Sequence, residues 1–269
     1  MVPLLTGIYY TQGEHNKGGS HYLIRDPGLT ERGVEECREL SERFPYHSSI
    51  DLIVSSPLRR ALHTALNGFQ PAIARGTKIV ALPELQETSD IVCDIGREKL
   101  DLEKEFADVK GPSGEPVIDL GLLSDGWWFK KGKYAPTSSA LIARARAARQ
   151  WLRARPEKEI AVVGHGGLFH YLTEDWTGIG NSKHASSWHN TDIRTYQFID
   201  DTENATIMET EESRAARGEA GRVLPREEQE KLYVKVMQFW ENRGFQNPLK
   251  KEVQFKEEDW TSHAGMFKT

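Results

Sequence analysis

Glu159-Ile-Ala-Val-Val-Gly-His-Gly-Gly-Leu168 is an apolar run that breaks on a histidine set between glycines. Four consecutive apolar residues suit a strand buried on both faces, as in a parallel sheet. The glycines after it allow a tight turn straight into a helix. A strand that feeds a helix in this way is the repeating unit of an α/β layered fold.

The same grammar extends outward. Upstream, Ser138 to Leu152 reads as a helix with Leu141, Ile142, Ala145, Ala148 and Leu152 on one face and arginines opposite. Leu4 to Tyr10 reads as a first buried strand. Thr30 is the expected N-cap of a helix whose apolar face is Val34, Cys37, Leu40 and Phe44. Asp51-Leu-Ile-Val-Ser-Ser56 is a second strand, with Pro57 at the first turn of the helix that follows, and Lys78 to Leu82 is a third. Residues 84–136 read as irregular, rich in Asp, Gly and Pro. Such a length is too great for an idle connection and predicts an insertion or lid. Ile193 to Ile199 alternates like an edge or final strand. Asp200 to Gly221 is polar and acidic and reads as mobile. A last helix is expected from about Pro225 to Asn242. The predicted organisation is one α/β domain over 1–199, with a C-terminal extension over 200–269 that docks on it, caps the pocket or mediates a homodimer.

Composition narrows the function classes. Of 269 residues, 38% are hydrophobic and 28% charged, with a net charge of −5, so nothing draws the chain as a whole to nucleic acid or an anionic membrane. Two cysteines, Cys37 and Cys93, make no disulfide framework. The N-terminal residues leave no room for a signal-peptide core before Glu14 and His15, so a soluble, cytoplasmic protein is expected. No dinucleotide fingerprint or P-loop is present, and no cofactor is expected. His184 and His189 are a weak metal signal, with Asp192 their single acidic neighbour.

Chemistry gathers where strands end. Tyr9-Tyr10-Thr11-Gln12-Gly13-Glu14-His15-Asn16 closes the first strand, Ser55 to Thr64 the second, Pro83-Glu-Leu-Gln-Glu87 the third and Gly164 to Gly167 the fourth. Ligands of open α/β sheets bind beyond these carboxyl ends. His165 opens a helix whose free N–H groups favour an anion. Arg60 offers a planar fork to a phosphate or carboxylate, and Glu87 suits proton transfer. Each has a plainer reading. The glycine turn can be only a turn, the Arg59-Arg60 pair a solvated face, Glu87 a surface charge and Trp127-Trp128 core packing. The convergence of four segments favours the site.

These residues carry a resemblance. Gln12-Gly-Glu-His-Asn16, Asp26-Pro-Gly-Leu-Thr-Glu-Arg-Gly33, Ser56-Pro-Leu-Arg-Arg60 with His63-Thr64, Leu85-Gln-Glu87 and Gly164-His-Gly166 resemble the histidine phosphatase superfamily, the phosphoglycerate mutase-like proteins, and look closest to its fungal members. The resemblance implies a three-layer α/β/α sandwich with a mostly parallel sheet. It also implies a phosphate pocket in which Asn16 and Arg60 bind, Glu87 is the proton donor and His165 is the second histidine. In that family the first strand ends in Arg-His, and the histidine takes up the phosphoryl group; here Tyr9 and Tyr10 stand in those places. A phenol with a pKa of about 10 is a poor nucleophile at neutral pH without an activating base.

Three functions follow. The favoured one is an enzyme of fungal secondary metabolism doing acid–base chemistry, that is dehydration, isomerisation, cyclisation or hydrolysis. Its substrate would be a small anionic or polyoxygenated molecule. Tyr10, Glu87 and His165 would be catalytic. Tyr9, Gln12, His15, Asn16, Arg60, Trp127 and Trp128 would bind substrate. The alternatives are an inactive pseudophosphatase that binds ligands, and a residual phosphatase using His165 or His15.

Overall fold

The computed structural model describes residues 2–179, 186–199, 202–219 and 223–254. In chain order the regular elements are β1 (Leu4–Tyr9), α1 (Glu31–Arg43), β2 (Leu52–Ser55), α2 (Arg59–Gly68), α3 (Gln70–Ala74), β3 (Ile79–Ala81), α4 (Lys99–Glu105), β4 (Ile118–Asp119), α5 (Ser138–Arg153), β5 (Glu159–Gly164), α6 (Gly166–Thr173), β6 (Ile193–Phe198), β7 (Ile207–Glu209), α7 (Glu211–Ala216) and α8 (Arg226–Asn242). The strands form one sheet in the order β4-β3-β2-β5-β1-β6-β7. The first five strands pair in parallel, whereas β6 runs antiparallel to β1 and β7 antiparallel to β6.

Alternation along the central strands fills two cores. Ile53, Ala161 and Val163 face a cluster with Leu40, Leu62 and Phe69, on the side of α1 and α2. Val54, Ile160 and Val162 face the opposite cluster, with Leu152 and Phe169 from α5 and α6. A sheet buried on both faces needs helices on both, and the result is the three-layer α/β/α sandwich. At the far end of α5, Leu141 and Ala145 join Tyr171 and Trp176 in a third cluster, which α8 covers with Val236, Met237 and Trp240.

Several local expectations are corrected. Residues 84–136 are not wholly irregular, since α4 and the two-residue edge strand β4 lie within them. The stretch read as mobile from 200 to 221 contains β7, hydrogen-bonded to β6, and α7, whose Thr210 side chain caps Ser213 N–H. On α5, Arg144 and Arg149 are buried while Ile142 is exposed, the reverse of the simple amphipathic reading. Arg149 is drawn inward because its guanidinium donates to the carbonyls of Tyr171 and Leu172, two of the free acceptors at the end of α6. On α1, Val34 faces solvent, while Thr30 caps the helix as expected, accepting from Gly33 N–H. His184 lies outside the described residues, among which no group of three or more His, Cys, Asp and Glu could hold a metal ion. No helix among them is long and apolar enough to cross a membrane.

Candidate active site

Register builds the site. Tyr10 N–H donates to Gly164 O at 3.1 Å and Ser56 N–H to Val163 O at 2.9 Å, which carries the parallel ladder one residue past each strand. Tyr10, Ser56 and His165 therefore emerge side by side at the carboxyl edge of β1, β2 and β5. His165 is the N-cap residue of α6. Arg60 projects from the first turn of α2. At Gly167 a Cβ would lie 2.7 Å from Glu87 Oε1, so the absence of a side chain there leaves the carboxylate room. The glycine thus lets the Glu87 carboxylate approach the first turn of α6, where unpaired N–H groups favour it.

The side chains interlock around Tyr10. Its hydroxyl is 2.9 Å from His15 Nε2. Its ring centroid lies 5.0 Å from that of His165 and 4.6 Å from that of Tyr9, and the Arg60 guanidinium carbon stands 5.0 Å from the ring. His165 Nε2 is 2.8 Å from Ser56 Oγ. The fork of Arg60 is taken, because Nη2 donates to Asp94 Oδ1 at 2.8 Å and Nη1 to Cys93 O at 2.9 Å. Asp94 is held in turn by the Ser89 hydroxyl. Arg60 and His165 are completely buried and Tyr10 is 2% exposed.

Burial sets the protonation states. It pushes the Tyr10 phenol up to about 12, against the pull of Arg60. It drops His15 to about 3, helped by Arg60, and takes His165 well below the ordinary imidazole value, helped by Arg60 and Lys130. Burial and the neighbouring Asp94 raise the Glu87 carboxyl. Burial and Arg144 bring the Lys130 amine down to about 7. At neutral pH the centre therefore holds a protonated phenol against neutral imidazoles, with a neutralised Arg60–Asp94 pair. A carboxyl with raised proton affinity stands beside it. At neutral pH this centre offers a hydroxyl donor, unprotonated imidazoles and a carboxyl of raised proton affinity.

Other expected residues are placed differently. The Gln12 side-chain oxygen accepts from Thr30 Oγ1 at 2.9 Å and its backbone N–H donates to Glu36 at 2.8 Å, so it secures the start of α1. Asn16 is exposed, and its side-chain oxygen accepts from Gly13 N–H at 2.9 Å. Trp127 is fully buried and packed against Gly96, where a Cβ would lie 2.2 Å from the indole. It has no surface to offer a ligand. Trp128 is half-buried, edge-on to Trp127 at 6.4 Å. A cleft of about 580 Å³ beside β4, lined by Phe106, Ile118 and Leu120 with Lys78 and Lys99, shares no residue with the cluster around Tyr10.

Sequence reasoning overlooked Ser56, Asp94, Lys130 and Arg144 as members of the site. Ser56 carried a signal, being adjacent to a strand end. Asp94 and Lys130 sit in the long insertion, where no periodicity marks which charges turn inward.

The family model of the histidine phosphatase superfamily (branch 1) matches residues 11–210, beginning one residue after Tyr10. A Schizosaccharomyces pombe protein named a probable phosphatase is 33% identical over 149 residues, covering 52% of this chain and 63% of its own length. Phosphoglycerate mutase-like protein 1 of Arabidopsis thaliana is 31% identical over 193 residues, covering 62% of this chain and 67% of its own. The chain thus spans about two thirds of these relatives or a little less. Among solved structures, the alpha-ribazole phosphatase of Shigella flexneri aligns with a TM-score of 0.48 and 20% identity, over 77% of this chain and 94% of that one. With a match over most of its length and a fold to suit, the chain belongs to the histidine phosphatase superfamily.

Proposed function

We propose that this member of the superfamily is an acid–base enzyme acting on a small polyoxygenated molecule without a phosphohistidine intermediate. One observation carries the reading. Tyr10 occupies the centre of the site, against His165 and Arg60, with its hydroxyl on His15 Nε2 at 2.9 Å. By the resemblance of Gln12-Gly-Glu-His-Asn16, this position corresponds to the one where the family carries its nucleophilic histidine. A buried phenol pushed up to about 12 stays protonated at neutral pH, so it serves as a hydrogen-bond donor and not as a nucleophile. Arg60, the fork that would grip a phosphate, is neutralised by Asp94. A phosphate dianion entering here would meet a carboxylate instead of a free cation.

In this reading the Tyr10 hydroxyl polarises a substrate carbonyl or hydroxyl oxygen. His165, kept neutral, accepts a proton. Glu87, whose carboxyl is raised by burial, returns one. Dehydration, isomerisation, cyclisation and hydrolysis of an oxygenated metabolite all fit such a set. Tyr9, half-buried beside Tyr10, would suit an aromatic, polyketide-like body of the kind made in fungal secondary metabolism.

A second reading, an inactive binding protein, draws support from the same closure of Arg60 by Asp94. The two separate on metabolite profiles of the producing cell. Tyr10→Phe, Glu87→Gln and His165→Ala should each make one metabolite accumulate while protein levels hold. Unchanged profiles in all three would leave the binding reading. Purified protein should turn over neither p-nitrophenyl phosphate nor 3-phosphoglycerate. Turnover of either at ordinary phosphatase rates, lost in His165→Ala, would establish the phosphatase that the relatives' names suggest.

A further inference from the structure

Two buried cations near the cluster are left without an anion. Lys130 is 9% exposed and Arg144 is 3% exposed. Both donate to one neutral acceptor, the Glu87 carbonyl oxygen, with Lys130 Nζ at 3.0 Å and Arg144 Nη2 at 3.3 Å. Nε and Nη1 of Arg144 are buried with no partner at all. Among the described residues neither side chain forms an ion pair, although the more distant carboxylates of Glu87 and Glu84 lend Arg144 some attraction. Two like charges on one carbonyl repel each other, and a buried unpaired charge is among the most costly features a fold can carry. Such an arrangement is economical only when an anion arrives to complete it.

We infer that Lys130 and Arg144 form a subsite for a carboxylate of the substrate, beside the Tyr10–His165 cluster and joined to it through Glu87. The Glu87 backbone oxygen orients both cations while its side chain lies against the start of α6. A ligand held by its carboxylate at Arg144 is thereby set next to the proton-transfer groups. A monoanion matches the site better than a dianion, because the Lys130 amine is brought down to about 7 and the pair carries less than two full positive charges at neutral pH. The inference rests on the acid–base reading for what happens at the other end of the ligand. The subsite itself is tested by binding, without turnover, so the two fail separately.

The probes are lactate and inorganic phosphate, titrated into purified full-length protein at constant ionic strength against chloride and followed by thermal melting. Lactate should raise the melting temperature saturably. The response should vanish in Arg144→Met and weaken about tenfold or more in Lys130→Met, a loss of about 1.4 kcal/mol, and it should persist in Tyr10→Phe. No lactate response beyond chloride overturns the subsite, as does a response undiminished in both variants. Saturation by phosphate with none by lactate overturns the carboxylate assignment. Should either variant fail to fold, the wild-type chain still decides. Lactate should slow acetic anhydride modification of Lys130, read by peptide mass, relative to exposed lysines such as Lys78. Equal rates with and without lactate overturn the inference.

Discussion

Arg60 and Arg144 are both buried guanidiniums, one on α2 and one on α5, and both face the insertion between β3 and α5. They are satisfied in opposite ways. Arg60 has a carboxylate at 2.8 Å and a carbonyl at 2.9 Å, and the insertion supplies both. Arg144 shares a single carbonyl with Lys130 and keeps two nitrogens unpartnered. The insertion therefore closes one anion site from within and assembles the positive lining of another. The same loop thus leaves one guanidinium compensated and the other open.

The largest effect expected is at the closed end. Asp94→Asn keeps the shape but leaves the Arg60 charge buried and uncompensated, which should cost about 3 to 5 kcal/mol in urea unfolding. A cost near zero would mean that the guanidinium finds water, and the contrast between the two arginines would dissolve. At the open end the sign reverses. Lys130→Met removes an uncompensated cation and should raise stability by about 1 kcal/mol or more at pH 6. The pH dependence sharpens this. The folded amine sits at about 7 against an ordinary 10.5, so below pH 7 it is charged in both states and its full penalty is present. As pH rises from about 7 to 10.5 the unfolded chain binds the proton that the native chain has released. Wild-type stability gains in that window, and the advantage of Lys130→Met should shrink to nothing across it. An advantage independent of pH would contradict a depressed lysine. The smallest effect belongs to a third, half-buried arginine. Glu105 bonds both Arg59 and His63, and these bonds outweigh burial to hold its carboxyl down to about 2. Glu105→Gln should cost about 1 kcal/mol or less at pH 7. The contribution of Glu105 should fade as pH drops from about 4.5 toward 2.

How much of this was legible depends on whether a local rule governs the residue. The apolar runs of β2 and β5 leave one solution, a sheet covered on both sides, and Thr30 announces α1 by its capping side chain. The convergence of Tyr10, Arg60, Glu87 and His165 was readable because each follows a strand end. The pairings that decide the electrostatics were not. Asp94 meets Arg60 across a loop, and Arg144 is turned inward by a tertiary contact that overrides the amphipathic pattern of α5. β7 and α7 hide in a polar stretch because an edge strand and a short capped helix need little apolar sequence. Gln12 and Trp127 look functional by composition, but a hydrogen bond to the α1 cap and close packing on Gly96 absorb them.

The central claim is that no imidazole of this chain carries a phosphoryl group, because a phenol fills the position where one would form. The direct measurement is intact mass at alkaline pH after incubation with phosphoramidate, on the wild type and on the Tyr9→Arg, Tyr10→His double variant. The account predicts no adduct on the wild type and an acid-labile phosphoryl adduct on the variant, since an imidazole and a second guanidinium would then stand beside Arg60. An acid-labile adduct on His15 or His165 of the wild type would contradict it.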